Sequence, residues 1–116
     1  MKGTIKSSEE ISGLFTTAKR VNHRALVALI AETNNKRGLS GRVAFIAGKK
    51  LGTAPQRSRA KRVLREAARR QGAPWEGFDV VLIAKNTTLT ASFQEILVAM
   101  ERVSGVVASE KASKDE

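Results

Sequence analysis

Residues 57–70, RSRAKRVLREAARR, carry six arginines, one lysine and a single acid. The planar guanidinium of arginine matches a phosphate group in two-point contact, a property that a merely solubilising surface does not need. Arg57, Lys61, Arg65 and Arg69 recur at four-residue spacing, with Arg62 beside them. On a helix that spacing makes one continuous ridge. A solvated, salt-bridged face would interleave glutamates at the same interval, and only Glu66 is present. The chemistry on offer is the binding of a polyanion.

Bond-breaking chemistry has far less to stand on. Acid–base catalysis needs a positioned titratable pair, and two-metal hydrolysis needs a cluster of carboxylates. His23 is the one histidine and has no evident partner. Glu9 and Glu10 read as favourable charge at a helix N-terminus. Asp79 reads as a loop or turn contact where a strand begins, and Trp75 as packing at a sheet edge. Gly48-Lys49-Lys50-Leu51-Gly52 lacks the glycine-lysine-serine spacing of a phosphate-binding P-loop. The absence of cysteine excludes disulfides and thiolate ligands. No catalytic residue and no metal site is assigned.

The composition points the same way. The 116 residues carry 21 Lys+Arg against 11 Asp+Glu, a formal charge of +10. A small domain this basic usually meets nucleic acid. The charge is also localised: Arg42 to Arg70 holds ten basic residues and one acid, whereas beyond Lys85 five acids face three bases. With 41% hydrophobic residues the chain can build a core, and no apolar run is long enough to span a bilayer. Met1-Lys2-Gly3-Thr4 lacks the apolar run and cleavage site of a signal peptide, so the expected location is cytoplasmic.

The elements that must carry the basic segment follow from periodicity. Ser7 and Glu10 have capping-box spacing, opening a helix with Ile11, Leu14, Phe15 and Ala18 on one side. RALVALIAE (24–32) reads as a buried strand, with helix the alternative. After the polar loop NNKRGLSG, RVAFIAG (42–48) reads as a second strand, antiparallel to the first. KKLGTAPQ (49–56) is a connection in which Gly52 and Pro55 interrupt regular structure. The basic helix follows, with Ala60, Val63, Leu64 and Ala67 as its apolar stripe. FDVVLIA (78–84) is a strand. TASFQEILVAMERV (90–103) is a second amphipathic helix capped by Thr90, with Phe93, Ile96, Leu97 and Met100 inward. One sheet packed by helices can bury these stripes.

The stretch RVAFIAGKKLGTAPQRSRAKRVLREAARR resembles the signature region of the protein subunit of bacterial ribonuclease P. In that family a strand enters a Ser-Lys-Lys-hydrophobic-Gly turn and then Arg-Asn-Arg-x-Lys-Arg-x-x-Arg-Glu. Here the turn is Gly48 to Gly52, and the helix begins Arg57-Ser58-Arg59-Ala60-Lys61-Arg62, followed by Arg65-Glu66. EEISGLFTTAKR is similar to the family's first helix and FDVVLIAK to its last strand. Ser58 and Ile11 stand where members commonly have asparagine and phenylalanine, and Ala28 where some members carry a tyrosine.

The resemblance implies an α+β fold. It would be a two-layer α/β sandwich with a mixed sheet of about four strands and three helices, in the order α-β-β-(β)-α-β-α. It also implies a left-handed crossover through the basic helix, against the general right-handed rule. Residues 1–105 would form one RNA-binding domain and 106–116 a flexible tail. Lys49, Lys50, Arg57, Ser58, Arg59, Lys61, Arg62, Arg65 and Arg69 would contact ribonuclease P RNA. Ile11, Phe15, Lys19, Phe45 and Lys85 would line a cleft for the single-stranded 5′ leader of precursor tRNA. Hydrolysis would fall to the RNA subunit with Mg²⁺ held there, and no membrane or obligate protein partner is expected. The competing reading is a general basic RNA-binding protein, such as a ribosomal protein. A helix-turn-helix DNA binder fits less well, because GTAP and a strand precede the basic helix where a bracing helix would be needed.

Overall fold

The structure is a computed structural model describing residues 18–32 and 41–114. Four strands, β1 (Lys19–Asn22), β2 (Leu26–Glu32), β3 (Arg42–Ile46) and β4 (Phe78–Ala84), form one sheet in the order β1-β2-β4-β3. The helices among the described residues are α1 (Ala54–Arg70), α2 (Asn86–Thr90) and α3 (Phe93–Lys114), with a 3₁₀ turn at Lys49–Leu51 before α1. The expected helix containing Ile11, Leu14 and Phe15 lies outside the described residues. Its expected extension through Lys19 and Arg20 does not form, because both belong to β1, the additional short strand.

The sheet is mixed. β1 pairs antiparallel with β2, β2 antiparallel with β4, and β3 parallel with β4. The expected antiparallel pairing of β2 with β3 therefore does not occur, since β4 lies between them. The physical reason is the continuous apolar run at residues 80–84 of β4, and every residue of that strand except Ile83 is buried. Such a strand needs neighbours on both edges and cover on both faces. A parallel β3–β4 pair then needs a long crossover, and α1 supplies it.

Alternation divides the sheet into two faces. Val21, Leu26, Ala28, Ile30, Val43, Val80 and Leu82 pack with Ala60, Leu64, Ala67 and Ala68 of α1 and with Ile96, Ala99, Met100 and Val103 of α3. Leu29, Ala44 and Val81 form a second cluster on the other face, with Ile46 and Ile83 beside it. The alanines of α1 let its backbone lie close to the sheet. Val63, expected in the stripe, is half-buried, and Ala68 takes the fully buried position.

The helix starts differ from expectation. Thr53 caps α1: its Oγ1 accepts from Gln56 N at 3.3 Å, while Gln56 Oε1 accepts from Thr53 N at 2.8 Å. Pro55 thus sits in the first turn, where its missing N–H costs nothing, and the helix begins before Arg57. Gly52 has φ 141°, a conformation suited to glycine, and closes the lysine turn. Thr90 ends α2 and does not cap α3. Ser92 opens α3, its Oγ accepting from Glu95 N at 3.2 Å. The helix expected to stop at Val103 continues to Lys114, and Val107, inside the expected tail, is buried. Trp75 is buried as expected, and its Nε1 donates to Ser104 Oγ at 3.3 Å.

Candidate nucleic-acid interface

Burial of Ala60, Leu64, Ala67 and Ala68 fixes the rotation of α1. The opposite face then presents Ser58, Arg62, Arg65 and Arg69, all exposed. Arg57 and Lys61 lie half-buried on the flank. Arg57 Nε is buried and has no hydrogen-bond partner among the described residues. Arg65 stands over the ring of Phe45 on β3, its guanidinium carbon 5.2 Å from the ring centroid. On the other flank Arg70 stands over Phe93 of α3 at 5.0 Å. Lys49 and Lys50 are exposed in the 3₁₀ turn directly before the helix.

Acids divide this set. Arg69 Nη2 donates to Glu66 Oε1 at 2.6 Å, and Arg70 Nε donates to the same oxygen at 3.2 Å. The hydrogen bond from Arg69, followed by that from Arg70, holds the Glu66 carboxyl below its ordinary range, and Glu66 in turn raises Arg69. Arg42 Nη2 pairs with Asp79 Oδ2 at 2.9 Å, and Arg42 Nε with Oδ1 at 3.3 Å, across the β3–β4 register. Asp79 is therefore a buried strand residue in an ion pair, not a loop contact as expected. Among the described residues, no carboxylate pairs with Lys49, Lys50, Arg57, Arg59, Lys61, Arg62 or Arg65. The available positive charge is thus concentrated in the turn and the first two-thirds of α1.

The expected leader residues do not share one surface among the described residues. Ile11 and Phe15 lie outside them. Lys19 and Phe45 sit on the two opposite edge strands. Lys19 Nζ is joined to Glu110 of α3 at 2.8 Å. Phe45 faces α1 and packs against the larger core cluster. Lys85 Nζ donates to His23 O at 2.9 Å and so braces the β1–β2 turn. In the same turn His23 Nδ1 accepts from Ala25 N at 3.1 Å.

Two features escaped the sequence reading. The sharing of Glu66 by Arg69 and Arg70 was visible as spacings of three and four residues. The Arg42–Asp79 pair was not, because it depends on a parallel register between distant segments. Among the described residues, no three His, Cys, Asp or Glu side chains lie close enough to hold a metal ion. No helix among them is long and apolar enough to cross a membrane.

Comparison with known proteins adds a family. Residues 2–107 match the model of the family described as Ribonuclease P. The chain is 34% identical over 103 residues to the ribonuclease P protein component of Symbiobacterium thermophilum, covering 85% of each chain. It is 30% identical over 93 residues to that of Alkaliphilus oremlandii, covering 79% of each. Among solved structures, the Staphylococcus aureus RNase P protein superposes with a TM-score of 0.76 at 24% identity, covering 91% of this chain and 95% of that one.

Proposed function

The chain belongs to the ribonuclease P protein family, and from that premise we propose that α1 and the lysine turn form its docking surface for the RNA subunit. The observation that carries this reading is the separation of charge. Lys49, Lys50, Arg57, Arg59, Lys61, Arg62 and Arg65 lie together with no carboxylate partner among the described residues, whereas Lys19, Arg24, Arg42, Arg69 and Arg70 each face an acid. An unpaired ridge on a rigid helix can neutralise successive phosphates and release their counterions. Ser58 can add a hydroxyl hydrogen bond. Arg69 belongs to the ridge by position, but Glu66 reduces its share.

Removal of the 5′ leader from precursor tRNA is the activity of the complex. We assign the hydrolytic step to the RNA subunit and the Mg²⁺ ions to sites in that RNA. The protein's part is to bind both RNAs and hold the substrate in place. Supporting this division, the buried polar side chains among the described residues, Asp79 and Thr88, are both committed to structural partners. For the leader we retain Ile11, Phe15, Lys19 and Lys85 as proposed contacts, with Lys19 and Lys85 needing release from their present partners. Phe45 finds better support in another role, argued below.

The experiment is reconstitution. Added to a ribonuclease P RNA at Mg²⁺ too low for the RNA alone, the protein should restore cleavage at the mature 5′ end. A protein that binds the RNA yet restores no cleavage would instead be a general basic RNA-binding protein.

A further inference from the structure

We infer that Phe45 is a positioning residue for the RNA contact: its ring on β3 holds the Arg65 guanidinium of α1 ready for a phosphate of the RNA subunit. This rests on the reading of α1 as the RNA-docking surface. It also moves Phe45 away from the leader cleft that the family resemblance suggested for it.

The geometry carries the inference. Val43, two residues earlier on the same face of β3, is fully buried, whereas Phe45 is only half-buried. The Arg65 guanidinium carbon stands 5.2 Å from the ring centroid, within the range of cation–π attraction. A guanidinium lying against a ring keeps its in-plane N–H donors free, and those donors make the two-point contact with phosphate.

The alternative support for an arginine is a carboxylate, and the same helix shows what that does. Arg69 and Arg70 are both held by Glu66, which compensates their charge. Arg70 also stands over Phe93 at 5.0 Å, but its Nε is already given to Glu66. Arg65 has a ring and, among the described residues, no acid. The ring restricts its motion and leaves its full charge for an anion. Chain connectivity strengthens the point: β3 ends at Ile46, and Ala47 and Gly48 lead from it to Lys49 and Lys50. One strand therefore sets the lysine turn and the foundation of Arg65.

The test is a binding cycle with ribonuclease P RNA, titrated at several salt concentrations. It uses Phe45→Leu, Phe45→Tyr, Arg65→Gln and the double variant Phe45→Leu/Arg65→Gln. Arg65→Gln should lower the log–log salt slope by about 0.7–0.9. Phe45→Leu should weaken binding about two- to tenfold, the range expected when one long side chain must be immobilised on binding. Phe45→Tyr should keep wild-type affinity, and Phe45→Leu should add no loss in the Arg65→Gln background. Independently of any variant's stability, the Arg65 side-chain protons of the free wild-type protein should show an upfield ring-current shift by NMR. Equal losses from Phe45→Leu in both backgrounds, no loss at all, or unshifted Arg65 protons would overturn the inference alone. An unchanged slope in Arg65→Gln would instead remove Arg65 from the docking surface, and the inference with it.

Discussion

Glu66 and Arg69, one turn apart on α1, are joined by two hydrogen bonds of 2.6 and 3.2 Å, and Arg70 donates to the same carboxylate. A single acid thus divides a helix of seven basic side chains into a compensated end and an uncompensated one.

Glu66→Gln should free Arg69 and Arg70 and tighten binding to ribonuclease P RNA. The log–log salt slope should steepen by up to about 1.5, the value for two further phosphate contacts. An unchanged slope would mean that this end of α1 does not reach the RNA.

The same pair has a defined pH dependence. The Glu66 carboxyl is held below its ordinary value of 4.5, mainly by the hydrogen bond from Arg69. A depressed carboxyl contributes above its unfolded pKa and loses that contribution as pH falls through the lower folded value. The difference in RNA affinity between wild type and Glu66→Gln should therefore stay constant from about pH 5 to 8. It should shrink only as pH falls below 4.5. Titrations at several pH values in one salt would measure it.

Asp79→Asn should destabilise the fold by about 3 kcal/mol, the cost of removing one partner of a buried ion pair. The Asp79 carboxylate is only 6% exposed and anchors Arg42 through two hydrogen bonds. Urea unfolding reads the loss, and RNA binding by the folded fraction should keep its wild-type salt slope.

Gly41→Ala tests a close backbone approach. A Cβ at Gly41 would stand 1.7 Å from Trp75 O and 2.4 Å from Phe78 O. Both obstacles are backbone, so the start of β3 or the turn before β4 must move. A loss of about 3 kcal/mol is expected, and thermal unfolding equal to wild type would refute that packing.

The parts of the fold visible in the sequence were those with local causes. FDVVLIA announced β4 because the continuous run Val80, Val81, Leu82 and Ile83 suits a central strand. The stripe at Ala60, Leu64 and Ala67 announced the rotation of α1, and with it the exposed ridge. Pro55 misled because its helix-breaking effect depends on position, and only the Thr53–Gln56 cap places it in the first turn. The pairing partner of β3 was hidden because strand order arises from the competition of β2 and β3 for β4. The family resemblance assigns Phe45 to the leader cleft, while the sheet register sends Val43 and Phe45 toward α1.

The central claim is that the uncompensated end of α1 binds the RNA subunit. The direct measurement is the salt dependence of affinity for ribonuclease P RNA in a variant with Arg59, Lys61, Arg62 and Arg65 all changed to glutamine, its fold verified by thermal unfolding. The account predicts a slope lower by about 3, the sum for four phosphate contacts, with low-Mg²⁺ cleavage lost alongside. A folded variant that keeps the wild-type slope and affinity would contradict the account and leave α1 as a solvated face.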